Sequence, residues 1–411
     1  MTAVVQDHQT EPLVQRRLAI ATRTEVTYSE TFIRGQIKAL KPTLVISGRP
    51  VADMTTPGGR FGVGQYAASA LISAGQLCRS AWRPSFSRES LKGALACLQS
   101  RIVETRLQRH KIEVMLTNFG PCAAWLCDAS RRARVPLIAH FHGYDAHGTV
   151  ELEYYRDKYQ ALGKQAAAII AVSNVMRKAL IGLGMPEEKI EVIRCGVNLD
   201  VFTFKQGRES APRFLSVGRF TEKKAPYLSV LAFSEVVKRI PQAKLVMIGD
   251  GLFDETVRNI AVATCPVGSV EVIGRADSAQ VVAEMHKSTA LLQHSVTPCF
   301  GRAAGDREGT PVVVLEAMAC GLPVVGSRHA GIGEVVEHGK SGFLVEERDV
   351  AGFASAMLEL AENPRLVEMM GLHGRLLAEA NHSSRLYYRK LSEVIDAVAQ
   401  HRAASSKAQV F

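Results

Sequence analysis

The chain predicts an α/β protein of two doubly wound parallel-sheet domains facing each other across a cleft. Three observations predict it. Its 411 residues exceed what one hydrophobic core usually serves. Short β-branched runs alternate with amphipathic stretches, the pattern of β-α-β units. The alternation also stops once, in a polar segment, and then restarts.

In the first half the strand-like runs are Leu18 to Ala21, Thr43 to Ser47, Val114 to Thr117, Leu137 to His140, Ala168 to Val172 and Glu191 to Arg194. In the second they are Arg213 to Val217, Lys244 to Ile248, Val270 to Ile273, Ala290 to Gln293, Pro323 to Gly326 and Gly342 to Leu344. Between the halves, Phe202 to Pro212 is polar and rich in turn formers, which marks a hinge. We therefore expect a first domain over 1–205, a second over 206–382 and a C-terminal segment over 383–411. Within that segment Ser383 to His401 reads as a helix with Leu386, Tyr387, Leu391, Val394, Ile395 and Val398 on one face, a stripe that needs a surface to cover, which the first domain would offer.

Composition narrows the class. Apolar residues make up 47% and charged residues 22%, an ordinary globular balance. No run approaches the ~18 apolar residues of a membrane span, and Met1 to Pro12 is polar, so a cytoplasmic protein is expected. The eight cysteines form no Cys-x-x-Cys pair, and buried free thiols are expected rather than a disulfide framework or zinc site. A net charge of +10 favours anionic partners, but the basic residues are dispersed and aromatics are only 6%, which argues against nucleic acid.

In doubly wound sheets ligands bind beyond the carboxyl ends of the strands, so the residues following each strand are the informative ones. Glu308-Gly-Thr-Pro-Val-Val-Val-Leu-Glu316 places two carboxylates eight positions apart around a helix start, with Gly309 and Pro311 suited to the turn. The free N–H groups of such a start can receive a diphosphate. Read alone, the pair would be a carboxylate at a helix dipole and a solvated one. It is not alone: Val217-Gly-Arg-Phe-Thr-Glu-Lys-Lys224 follows the first strand of the second half and sets Arg219 and Lys224 beyond a tight turn. A guanidinium can bond phosphate oxygens bidentately and an ammonium adds a point charge. At ~4 Å and an effective dielectric of ~20 one such charge pair is worth about 4 kcal/mol.

Together these segments resemble family 4 glycosyltransferases of the GT-B fold, two Rossmann-like domains, and especially bacterial colanic-acid and exopolysaccharide enzymes. Tyr28-Ser-Glu-Thr-Phe-Ile33, Asn118-Phe-Gly-Pro121, Phe141-His-Gly-Tyr-Asp145 and Arg328-His-Ala-Gly-Ile-Gly-Glu334 extend the resemblance over nearly the whole chain. It implies that Arg219 and Lys224 bind a donor diphosphate, that Glu316 bonds the ribose and that Glu308 contacts hydroxyls of the transferred sugar. Gly309, Thr310, Pro311, Val312 and Val313 would present backbone amides, and Gly274, Arg275 and Ala276 would hold the base through the main chain. His142 and Asp145 would lie beside the sugar; His140 and His147 are poorer candidates. Ser29, Glu30 and Thr31 would form a loop near the diphosphate and acceptor, although a helix N-cap explains the same residues.

Two positions depart from the family pattern: Ala225 stands where a glycine often follows the lysine, and Gly333 where proline is usual. Gly58 to Gly64 fits neither phosphate-loop spacing, and we read it as a flexible acceptor-side loop. No Asp-x-Asp pair occurs, so neither a metal nor a cofactor is expected. The implied reaction moves a hexose from a UDP- or GDP-linked donor to a hydroxyl of a glycan or lipid-linked saccharide, with retention at the anomeric carbon and closure of the cleft. A lipid-linked acceptor would bring the first domain to the inner face of the cytoplasmic membrane. A nucleotide-sugar-binding regulator or an epimerase on the same scaffold is the competing reading, and a glycoside hydrolase using the two carboxylates has no need of the cations.

Overall fold

A computed structural model describes residues 16–23, 31–47, 53–56, 59–62, 88–207 and 211–408. The first sheet contains β1 (Leu18–Thr22), β2 (Leu44–Ser47), β3 (Asp53–Thr56), β4 (Gly59–Gly62), β5 (Val114–Asn118), β6 (Leu137–Phe141), β7 (Ala168–Ala171) and β8 (Ile190–Val192), in the order β4-β3-β2-β1-β5-β6-β7-β8. The central strands β1, β5 and β6 are buried along their whole length, as expected of parallel strands covered on both faces. The pairs β2 with β3 and β3 with β4 are antiparallel. Gly59–Gly62 is therefore a hairpin strand, not the loop expected over Gly58 to Gly64. Two short runs flanking a pair of turn formers is a hairpin pattern, and the glycines hid it. Gly58, Val63 and Gly64 lie outside the described residues.

The second sheet contains β9 (Arg213–Val217), β10 (Lys244–Ile248), β11 (Val270–Gly274), β12 (Ala290–Gln293), β13 (Val324–Ser327) and β14 (Gly342–Val345), all parallel, in the order β11-β10-β9-β12-β13-β14. Its strands alternate between two cores. Leu215, Val246, Ile248, Leu291 and Val324 face one, and Phe214, Leu245, Met247, Leu292 and Val325 face the other. The order reverses between β9 and β12, and a crevice beyond their carboxyl ends is the ligand position of such sheets.

The helices are α1 (Thr31–Leu40), α2 (Arg88–Arg109), α3 (Gly120–Ala133), α4 (Tyr144–His147), α5 (Thr149–Gln165), α6 (Asn174–Gly182), α7 (Pro226–Arg239), α8 (Asp254–Thr264), α9 (Ser278–Lys287), α10 (Val312–Ala319), α11 (Ile332–Val335), α12 (Val350–Glu362), α13 (Pro364–Asn381) and α14 (Ser384–Ala408). Caps fix several starts: Ser173 accepts from the Met176 amide, and Asp277 and Gln280 form a capping box on α9. Helix α10, by contrast, follows Pro311 with no side-chain cap.

The described residues gather into two compact units. One holds those before Phe141 with Lys158–Ile169 and those from Tyr388 on; the other holds Phe141–Asp157 and Ile170–Tyr387. In the first, Arg402 of α14 donates to the carbonyls of Ile112 and Glu113 at 3.1 and 3.0 Å. Along α14, Tyr387, Leu391, Val394, Ile395 and Ala399 are buried, whereas Leu386 and Val398 are half-buried.

Candidate functional site

Three strand-end turns of the second unit are stitched together. The Gly218 amide donates to the Ile248 carbonyl at 2.9 Å, Phe220 N–H to Asp250 O at 2.7 Å and Gly249 N–H to Gly274 O at 2.7 Å. The approach requires glycine: a Cβ on Gly249, at φ 151°, would lie 1.9 Å from the Gly218 oxygen, and one on Gly251, at φ 147°, 2.6 Å from the Phe220 oxygen. The turn after β9 is thereby held rigidly over the one after β10. It presents Arg219 in the open, and that guanidinium makes no hydrogen bond or ion pair among the described residues. A small cavity beside it is lined by Gly218, Arg219, Lys224, Gln293 and His294.

Lys224, from the same turn, pairs with Glu308 at 2.9 Å, and Glu308 is only 7% exposed. Ser295 Oγ donates to the same carboxylate oxygen at 3.0 Å, and the Glu308 amide donates to His329 Nε2 at 3.1 Å. The other nitrogen of His329 meets Glu347 at 2.6 Å, and Glu347 also accepts from the Thr297 amide at 2.7 Å. Burial by itself would raise the Glu308 carboxyl, but Lys224, then Lys223 and His329, hold it well below the usual carboxylate range. It is a buried, ionised group held through one of its two oxygens. Glu316, about one turn into α10, is half-buried with no cation at ion-pair distance among the described residues, and burial pushes its carboxyl up to about 7.

The turn after β6 lies against the start of α10. A Cβ on Gly309 would fall 2.0 Å from the His142 carbonyl oxygen, and one on Gly331 1.7 Å from the Gly309 oxygen. Thr310 Oγ1 donates to the Val172 carbonyl at 2.6 Å, so that hydroxyl is occupied. Asp145 is fully buried, and its carboxylate accepts from the amides of His142 and Gly143 at 3.0 and 2.8 Å. It shapes the turn that carries His142. His140 sits in the first unit's core beside Gln36, and burial pushes it down to about 3.

The other expected residues fall as follows. Gly274 ends β11 and Arg275 and Ala276 follow it; Ala276 is 7% exposed within a core, and Arg275 reaches Asp250 at 2.7 Å. Pro311 is buried, and Val312 and Val313 open α10 half-buried. Thr31 opens α1, while Ser29 and Glu30 lie outside the described residues. Sequence reasoning missed Ser295 and Glu347, named His329 only within a motif, although all three buttress Glu308, and missed the pair Lys223 with Asp306 at 3.0 Å. Glu334 was noted only as part of a motif; it caps α6, accepting from the Asn174 and Val175 amides at 2.9 and 2.8 Å and pairing with Arg194 at 2.6 Å. The Gly249-Asp-Gly251 triplet after a strand was a readable signal of the close approach.

The family model for glycosyl transferases group 1 matches residues 200–376, and that for Glycosyltransferase Family 4 matches residues 74–201, so the two adjoin. An amylovoran biosynthesis glycosyltransferase of Erwinia amylovora is 29% identical over 303 residues, 72% of this chain and 73% of that protein. A putative colanic acid biosynthesis glycosyltransferase of Salmonella typhimurium is 30% identical over 255 residues, 61% of each, so the match spans less than two thirds of that relative. Among solved structures, Anabaena HepE in complex with UDP and glucose superposes with a TM-score of 0.68 at 18% identity, covering 93% of this chain and 99% of that one, a likeness of fold.

Proposed function

The chain belongs to the family 4, GT-B-fold glycosyltransferases, and from that premise we propose that it moves a hexose, with retention, from a UDP- or GDP-linked donor to a hydroxyl of a glycan or lipid-linked saccharide in bacterial polysaccharide synthesis. One observation carries the reading: the open Arg219, the Lys224–Glu308 pair and the uncapped start of α10 come from turns at the point where the sheet order reverses.

The diphosphate lies on Arg219, Lys224 and the backbone N–H groups of Gly309, Thr310, Val312 and Val313 around the start of α10. An ammonium has three donors, so Lys224 keeps two for phosphate while one serves Glu308. These charges meet the negative charge that grows on the leaving oxygen, so they stabilise the transition state more than the bound donor and need no metal to do so. Glu308 accepts from sugar hydroxyls with the lone pairs that Lys224 and Ser295 leave. Glu316 accepts from the ribose, and Gly274 to Ala276 border the base. His142 stands by the sugar, and Asp145 shapes its turn. The acceptor hydroxyl attacks the face that the diphosphate leaves, and a donor phosphate oxygen takes its proton. Such an enzyme works where nucleotide sugars are made, in the cytoplasm, at the inner membrane face if its acceptor is lipid-linked.

The test is to incubate the protein, in chelator, with UDP- and GDP-hexoses and a bacterial lipid-linked saccharide fraction, following diphosphate release and the anomeric configuration of the product by proton NMR. Diphosphate release with an α-linked product from an α-linked donor supports the reading. Inversion refutes the retaining course, and release of free sugar from an unactivated glycoside refutes transfer.

A further inference from the structure

The mechanism above makes no use of the half-buried ion pair between Lys223 and Asp306. Lys223 Nζ meets Asp306 at 3.0 Å, with the two side chains only 15% and 19% exposed, and also donates to the Arg307 carbonyl at 3.3 Å. The lysine's own carbonyl accepts from the Val296 amide at 2.8 Å, so it is fixed at both ends. Lys223 thus ties the turn after β9 to the segment 298–309, which ends in Glu308 and Gly309.

That segment in turn lies on the turn that carries His142. The Thr149 amide donates to the Ala304 carbonyl at 2.9 Å. A Cβ on Gly305, at φ 74°, would fall 2.8 Å from the His147 oxygen, and one on Gly143 3.1 Å from the Arg307 oxygen. His147 is pushed down to about 4, first by burial and then by Arg307, Lys223 and His329, which puts the same cations around it. The segment has no helix or strand to stiffen it; inside it only turn bonds such as Gly305 N–H to Pro298 O, 2.9 Å, hold the backbone.

We propose that Lys223 and Asp306 are a positioning pair that straps segment 298–309 across the His142 turn and so sets where Glu308 and Gly309 meet the transferred sugar. The role at the sugar rests on the glycosyltransferase reading; the strap itself does not. Lys223 acts through Asp306 and the Arg307 carbonyl, whereas its neighbour Lys224 faces the diphosphate. Removing the strap therefore leaves diphosphate affinity in place and misplaces the sugar contacts, and small misplacement near the chemistry is costly in kcat.

Two measurements on Lys223→Met, Asp306→Asn and Lys223→Arg test it. Hydrogen exchange reads the strap without any donor: the Thr149 amide should exchange at least tenfold faster in Lys223→Met and in Asp306→Asn, and unchanged exchange overturns the proposal. Turnover of UDP-glucose or GDP-mannose, whichever the wild type uses, reads the function. We expect kcat about 30-fold lower in both variants, the Kd for UDP or GDP within threefold of wild type, and Lys223→Arg within threefold in kcat. Unchanged kcat, or diphosphate affinity falling in step with kcat, overturns the sugar-positioning role. Should Lys223→Met not fold, Asp306→Asn, which keeps side-chain shape and removes only charge, decides both arms. A wild type that neither binds a diphosphate nor turns over a donor overturns the functional reading instead, and the exchange arm still stands.

Discussion

Lys224→Met removes the direct partner of a buried carboxylate. Glu308 is 7% exposed, its pair distance is 2.9 Å, and its remaining direct side-chain contact is the Ser295 hydroxyl at 3.0 Å. Breaking a buried pair from one side costs about 3–5 kcal/mol, because the surviving charge stays desolvated. Lys224 is itself 21% exposed and Lys223 still acts on the carboxylate, so we take the lower end, about 3 kcal/mol. At about 2–4 °C per kcal/mol for a unit of this size, the melting temperature should fall by about 6–12 °C. The pH dependence carries a sign. In the wild type the depressed Glu308 carboxyl contributes stability above its unfolded value, and this is lost as pH falls. In the variant burial acts with one cation fewer, the carboxyl rises, and the deficit shrinks as pH drops below the ordinary 4.5. Adding Glu308→Gln removes the orphaned charge and should recover about half of the loss. Calorimetry of the single and double variants across pH makes the comparison. A single variant within about 0.5 kcal/mol of wild type, or a double variant less stable than the single, refutes the reasoning.

Glu316→Gln tests the unpaired carboxyl. Its folded-state value is raised, so its stabilising contribution is complete below 4.5 and is lost as pH rises towards about 7; the amide variant should match the wild type in acid and melt higher above pH 7. Two glycines make a contrast by calorimetry. Gly331→Ala drives a Cβ to 1.7 Å from the Gly309 oxygen and should cost about 1–3 kcal/mol together with activity. Gly333→Ala meets nothing within 4 Å and should add about 0.4–1 kcal/mol by restricting the unfolded chain. His142→Ala should lower kcat about 100-fold, read by diphosphate release, with the Kd for free UDP or GDP unchanged.

The parallel strands were legible because each is a short, largely apolar run bounded by turn formers, and β9, β10, β12 and β13 place neighbouring residues in two cores on opposite faces of the sheet. The hairpin of β3 and β4 was not, since Asp53-Met-Thr-Thr and Gly59-Arg-Phe-Gly have little apolar periodicity. At the site, Arg219, Lys224, Glu308 and His142 could be picked out from their places after strands. What they touch could not. That Lys224 faces Glu308 while Lys223 faces Asp306 depends on which way two adjacent side chains leave one turn, and nothing local distinguishes them. That the Asp145 carboxylate accepts from two amides of its own turn could not be read either, a local competition between side chain and backbone that short polar residues often win. His329 and Glu347 lie 21 and 39 positions beyond Glu308 and become its support only through the sheet.

The central claim is a donor diphosphate held by protein cations at the turn after β9, and isothermal titration of UDP and GDP in the presence of chelator measures it directly, with wild type beside Arg219→Ala. The account predicts that one of the two diphosphates binds without metal and that the substitution weakens it about 10- to 100-fold, the loss of one charge-assisted hydrogen-bonding group. Binding of neither diphosphate at millimolar concentration, or affinity that Arg219→Ala leaves untouched, contradicts it.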